Sequence, residues 1–219
     1  MISTRDLSLL PGVDRLRRIW QSMAMLDAVL CPEWEFRYYS FNAGWGDGEQ
    51  MGSIRNGSGD DVFAHFGPAG CWIKGFAHEC PMSSFGRKPP RPWAGVLDAV
   101  PSAFAGCLGE PAFGLDAISF CVWRQYTDSC WQVGPVAFVA GQADPDGSEG
   151  LLYALDGEPE TYRAWASEYY ERDVELGAVE QVYRQDLLTS ELVARLNPEV
   201  RLSELAADIR EIGYPESGA

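Results

Sequence analysis

Residues 36–82 read FRYYSFNAGWGDGEQMGSIRNGSGDDVFAHFGPAGCWIKGFAHECPM. Apolar and aromatic runs of strand length alternate here with short clusters of Gly, Asn and Asp. Such clusters supply the positive-φ and side-chain-bonded positions that tight turns need. The pattern predicts strands over 32–41, 49–55, 61–66 and 71–77, joined as an antiparallel meander. In the first, period-two alternation places Trp34, Phe36 and Tyr38 on one face and Glu35, Arg37 and Tyr39 on the other. Residues 42–48 read as a glycine-built loop, and 56–60 as a hairpin turn.

Upstream, residues 12–30 carry apolar side chains at helical spacing: Val13, Leu16, Ile19, Trp20, Met23, then Leu26 or Asp27. Cys31-Pro32 ends that helix, because proline disfavours a helical residue before it. Downstream, 93–104 or 93–108 reads as a second helix that Pro101 could shorten or bend, and 118–125 with 129–138 as a further hairpin. Residues 144–150, DPDGSEG, form a turn or linker. Beyond it, helices are expected over 159–170, 175–183, 190–196 and 203–212. The fold class is therefore α+β: an antiparallel sheet of about five to seven strands covered by helices. A sheet-and-helix body, 1–143, is followed by an acidic helical module, 144–219, packed on it as one compact unit.

The composition, 46% hydrophobic and 22% charged, is that of a globular protein. No run approaches the ~20 apolar residues that span a bilayer. The N-terminus has an early Asp6 and no long apolar core, so no export signal is read and a cytoplasmic location is expected. The six cysteines then read as free thiols. None forms a CxxC pair, which argues against a structural zinc site or a dithiol redox centre. No cofactor is expected.

The net charge of −15 is unevenly spread. Residues 1–140 carry 14 acids and 11 bases, whereas 141–219 carry 18 acids and 6 bases. An acidic end of this kind repels nucleic acid and anionic membranes and speeds the approach of a basic protein. Asp156, Glu158, Glu160, Glu168, Glu171, Asp173 and Glu175 are the residues expected to face such a partner. Solubility alone is the plainer explanation.

Two histidines, His65 and His78, offer the first place for chemistry. With Glu79, Asp60 and Asp61 they could hold a metal for hydrolysis if the chain brings them together, with Arg55 binding an anion. The spacing is not HExxH, and the plainer reading has His78 ordering its own loop. The segment 55–61 lacks the order of a phosphate loop or an EF-hand, and no GxSxG elbow or papain-type cysteine signature is present. Lys74, inside an apolar strand, is expected to face solvent or to pair with Glu79 or Asp61. Trp45, Trp72, Trp93, Trp123 and Trp131 read as core, or as the lining of a pocket.

Three motifs, Trp45-Gly-Asp-Gly-Glu49, Met51-Gly-Ser-Ile-Arg-Asn-Gly-Ser-Gly-Asp-Asp61 and Ile73-Lys-Gly-Phe-Ala-His-Glu79, resemble those of a family of bacterial proteins of unknown function. The segments 159–165 and 196–198 resemble the same family's C-terminal part. The resemblance implies membership, with no catalytic residues to carry over. By analogy, small acidic bacterial proteins of this kind include toxin-immunity proteins. The expectation is thus a non-enzymatic binding protein for a basic partner, of toxin-immunity or regulatory type. A metal-dependent hydrolase is the alternative, and a homodimer joined by a sheet edge a third possibility.

Overall fold

The computed structural model describes residues 1–216. Its frame is one antiparallel sheet of six strands: β1 (Tyr39–Gly46), β2 (Glu49–Arg55), β3 (Asp61–Gly67), β4 (Gly70–Phe76), β5 (Phe120–Gln125) and β6 (Gln132–Val133). Spatial order follows chain order throughout, the expected meander. Two-residue turns, Asp47-Gly48 and Pro68-Ala69, close the β1–β2 and β3–β4 hairpins. Gly70 follows the second turn with φ +140°, and a Cβ there would lie 2.1 Å from the Arg124 carbonyl oxygen of β5. Only glycine fits.

Alternation sorts the strand residues into two layers. Val62, Ala64, Phe66, Ile73, Phe120 and Val122 face the main core. Phe63, Trp72, Cys121 and Trp123 face a smaller one, closed by Val96, Phe104, Cys107, Phe113 and Ile118. On the main side runs α1 (Val13–Leu30), of whose 18 residues 14 are buried. A helix enclosed all round is a central element, not a one-faced surface helix. Trp20 lies so close to β2 that a Cβ on Gly52 would fall 2.6 Å from its indole.

What encloses α1 is the C-terminal part: α3 (Ser148–Leu152), α4 (Pro159–Tyr169), α5 (Leu176–Tyr183), α6 (Ser190–Leu196) and α7 (Ala206–Ile212). Buried polar groups of α1 tie these helices down. Ser22 Oγ donates to the Val182 carbonyl of α5 at 2.9 Å, and Gln21 Nε2 to the Ile212 carbonyl ending α7 at 2.9 Å. Asn197, just past α6, returns a side-chain bond to the Val29 carbonyl at 2.8 Å. Helices and sheet therefore share one continuous core.

Four expectations are corrected. Trp34–Phe36 is a turn of 3-10 helix, so β1 begins only at Tyr39, and the alternation read from Trp34 does not hold. β1 in turn runs on through the expected loop to Gly46. The helix expected from Trp93 is reduced to a 3-10 turn at Ser102–Phe104 and α2 (Ala105–Gly109). Ala99 there has φ +65°, and Pro101 has no N–H to donate to a helical ladder. The strand expected over 129–138 survives only as β6, since Pro135 cannot pair and Gly134 turns onto the Gly95 carbonyl.

Asp27, on α1, is fully buried. Its Oδ2 accepts the backbone N–H groups of Tyr38 (3.0 Å) and Tyr39 (2.7 Å), and its Oδ1 accepts the Tyr162 hydroxyl of α4 (2.6 Å). Rings of Tyr38, Tyr39, Tyr162 and Trp165 pack around it. Burial outweighs these hydrogen bonds and pushes the carboxyl up from 3.8 to about 6. The folded state thus holds this proton more tightly than the unfolded chain. The resulting stability is full below the unfolded value and is lost as pH rises through about 6. The gap corresponds to about 3 kcal/mol. In urea titrations, the stability of the native protein minus that of Asp27→Asn should fall by up to about 3 kcal/mol between about pH 4 and about pH 6.5, then stay level. A difference that does not change with pH would contradict this assignment.

Candidate functional site

Asp60, Asp61, His78 and Glu79 gather at one end of the sheet, around the β2–β3 turn and the end of β4. Asn56 Oδ1 accepts the N–H groups of Ser58 (2.8 Å) and Asp60 (3.1 Å), which shapes the β2–β3 turn. Asn56 Nδ2 donates to Asp60 Oδ2 at 2.8 Å. Asp60 Oδ1 then accepts both the backbone N–H (2.8 Å) and Nδ1 (2.7 Å) of His78, just after β4. Partial burial works against the Asp60 charge, but the bonds from His78 and Asn56 hold its carboxyl below the usual value. The hydrogen bond to Asp60 raises His78 above the ordinary 6.5. His78 therefore holds its proton more readily than a free imidazole, and it clasps the turn. Glu79 extends into solvent, with an oxygen 3.7 Å from His78 Nε2.

One residue inward, Asp61 meets Lys74. Lys74 is 1% exposed; its Nζ lies 2.6 Å from Asp61 Oδ1 and donates to the Ala117 carbonyl at 2.8 Å. It also lies 5.2 Å from the centre of the Phe63 ring. Burial pulls the ammonium down and pushes the carboxyl up, and each charge opposes the shift of the other. The pair pins β3 to β4 and to the segment covering the small core. Arg55, opposite Asp61 in register, stacks instead on Trp34, 4.5 Å from its ring centre.

His65 stands apart. It lies five residues further along β3, roughly 17 Å from Asp60 at strand rise, and its Nε2 is 3.4 Å from Glu49 Oε2. His78, Glu79, Asp60 and Asp61 therefore lie together at one end of the sheet, and His65 is not among them. Among the described residues no group of three or more His, Cys, Asp and Glu side chains is placed to hold a metal ion. The thiols of Cys71, Cys107 and Cys121 are buried and pushed up by burial, away from nucleophilic use.

The acidic side chains form a different kind of site. Of the seven expected to face a partner, two are engaged within the chain. Asp156 accepts from the Glu158 N–H (2.9 Å) and Thr161 Oγ1 (2.7 Å), and Glu175 pairs with Arg195 at 2.6 Å. Glu158, Glu160, Glu168, Glu171 and Asp173 are exposed, and among the described residues no cation reaches them. Glu160 and Glu168 lie within about 80° of one another around α4 at 100° per residue. Glu158 and Glu160 suit the helix N-terminus, whereas Glu168 sits in the last turn, where the helix dipole disfavours negative charge. Glu171 follows with φ +50°, and the neighbouring Arg172 turns inward to the Leu30 carbonyl. Tyr169, 40% exposed, stacks beside them on Trp165 (5.0 Å) and meets Tyr38 (5.2 Å).

The chain matches no protein-family model, no curated protein and no solved structure.

The sequence names Asp61 among the expected partners of Lys74, which the structure bears out, but it points neither to the pairing of His78 with Asp60 nor to a site at Glu49 and Glu110. Their one signal was Trp45-Gly-Asp-Gly-Glu49, a turn that returns a carboxylate beside an aromatic ring. For the buried pair, Lys74→Met leaves Asp61 without its counter-ion. Asp61 keeps a quarter of its side-chain exposure, so the loss should be about 2–3 kcal/mol, below that of a fully enclosed pair. The double variant Lys74→Met/Asp61→Asn should recover at least half of it in urea denaturation. Additive losses would show that the two groups do not act as a pair.

Proposed function

We propose that this protein is a non-enzymatic binding protein that docks a basic protein partner through α4 and the turn after it. The role would be that of a toxin-immunity or regulatory partner in the bacterial family whose motifs the chain resembles. The observation that carries the reading is the placement of Glu168, Glu171 and Asp173. Three carboxylates without a cation crowd a helix C-terminus, against the dipole, while the nearby arginine faces inward. Stability alone does not favour that arrangement; a positive partner does. Tyr169, held at the surface by Tyr38 and Trp165, supplies the aromatic anchor that such interfaces centre on. Charge brings the partner in, and the anchor slows its departure. Asp156 and Glu175 serve the fold and are not part of this surface.

Proteins captured at low salt from the source organism should include one of high isoelectric point. Its affinity should fall at least about tenfold in Glu160→Lys/Glu168→Lys/Glu171→Lys, since each exposed pair contributes about 0.2–1 kcal/mol and reversal adds repulsion. The same affinity should weaken with added salt. Captured partners whose titrations do not respond to the triple reversal would contradict the proposal.

A further inference from the structure

On the opposite side of the sheet from α4, a cavity of about 210 Å³ opens between the β1–β2 turn and α2. Trp45, Glu49, His65, Cys107, Glu110 and Phe113 line it. The β1–β2 hairpin sets Trp45 and Glu49 four residues apart on either side of its turn. Phe113 forms the floor: its ring lies 6.3 Å from Trp45, 6.2 Å from His65 and 5.3 Å from Trp72. Glu110 is fixed by accepting the Ala112 N–H at 3.0 Å.

The charge in this cavity has one sign. Two carboxylates line it, and no lysine or arginine does. Burial pushes the Cys107 thiol up to about 12, and the fields of Glu49 and Glu110 push the same way, so both carboxylates are felt at the inner wall. His65 is only 9% exposed. Its Nε2 lies 3.4 Å from Glu49 Oε2 at the cavity wall, and its buried Nδ1 has no partner among the described residues. Carboxylates and aromatic walls are the complement of an organic cation rich in N–H groups. The volume lies below the ~300 Å³ at which pockets for drug-sized ligands begin, which fits a head group on a short alkyl chain.

We propose that this cavity is a binding site for an alkylguanidinium or alkylammonium group, the chemistry of an arginine or lysine side chain or of a free small amine. Glu49 and Glu110 pair with the cation, and Trp45 and Phe113 pack its alkyl stem. The proposal does not rest on the α4 surface, which lies on the far side of the sheet, so the two can fail separately.

Calorimetric titration of the full chain with n-butylguanidinium tests it, with n-butylurea as the neutral match. The cation should bind with a Kd of about 1 mM or tighter, and the urea at least about tenfold more weakly. Glu49→Gln and Glu110→Gln keep the hydrogen-bond acceptors and should each weaken the cation about tenfold or more. Ala103→Trp, at an exposed position on the cavity wall, should block binding without touching either carboxylate. Near-ultraviolet circular dichroism confirms that each variant is folded. A capped Gly-Arg-Gly peptide separates the sources: tighter binding than n-butylguanidinium assigns the site to a protein side chain, weaker binding to a free cation. Equal affinity for the cation and the urea, or unchanged affinity in the folded glutamine variants, would overturn the proposal.

Discussion

A fully buried carboxylate holds this molecule in register. Asp27 projects from the most enclosed helix of the protein and satisfies three donors from two other elements. Two are backbone amides, of Tyr38 just before β1 and of Tyr39, its first residue; the third is a hydroxyl from α4. Buried donors left without an acceptor are penalised by about 1–3 kcal/mol each, so the three elements assemble together or not well at all. The same contact decides where α4 lies and so which of its residues reach solvent. The acidic surface proposed for partner binding is, in this sense, a consequence of a single buried side chain.

The charged motif at the other end of the sheet obeys the same logic on a smaller scale. Asp60 and Asp61 are neighbours in sequence but point to different partners, an exposed histidine and a buried lysine. One clasps the turn to the segment after β4; the other joins β3 and β4 beneath the covering layer. Residues that looked like an incomplete metal site are explained by what they hold together. The distance along β3 that separates His65 from them frees that imidazole for the electronegative cavity by β1 and β2.

The sheet could be read from sequence because its strands alternate and its turns are built of Gly, Asn and Asp. The four longer C-terminal helices could be read because proline, threonine and glycine mark their ends. The stretch 93–117 could not. Its apolar spacing is helical, but Ala99 at positive φ, Pro101 and several glycines prevent a ladder, and the chain is held instead by the sheet face it covers. The role of Asp27 was half visible, as a charge on an apolar stripe. The tyrosine that answers it lies 135 residues away, beyond any local pattern. The cavity was invisible for the same reason, since Glu49, His65 and Glu110 come from three separate segments.

Hydrogen exchange in Asp27→Ala tests most directly whether one carboxylate couples the sheet to the C-terminal helices. The account predicts that the amides of Tyr38 and Tyr39 and those of α4 lose protection together, while the β3–β4 pairing keeps its own. Loss confined to α1, with α4 as protected as before, would contradict it.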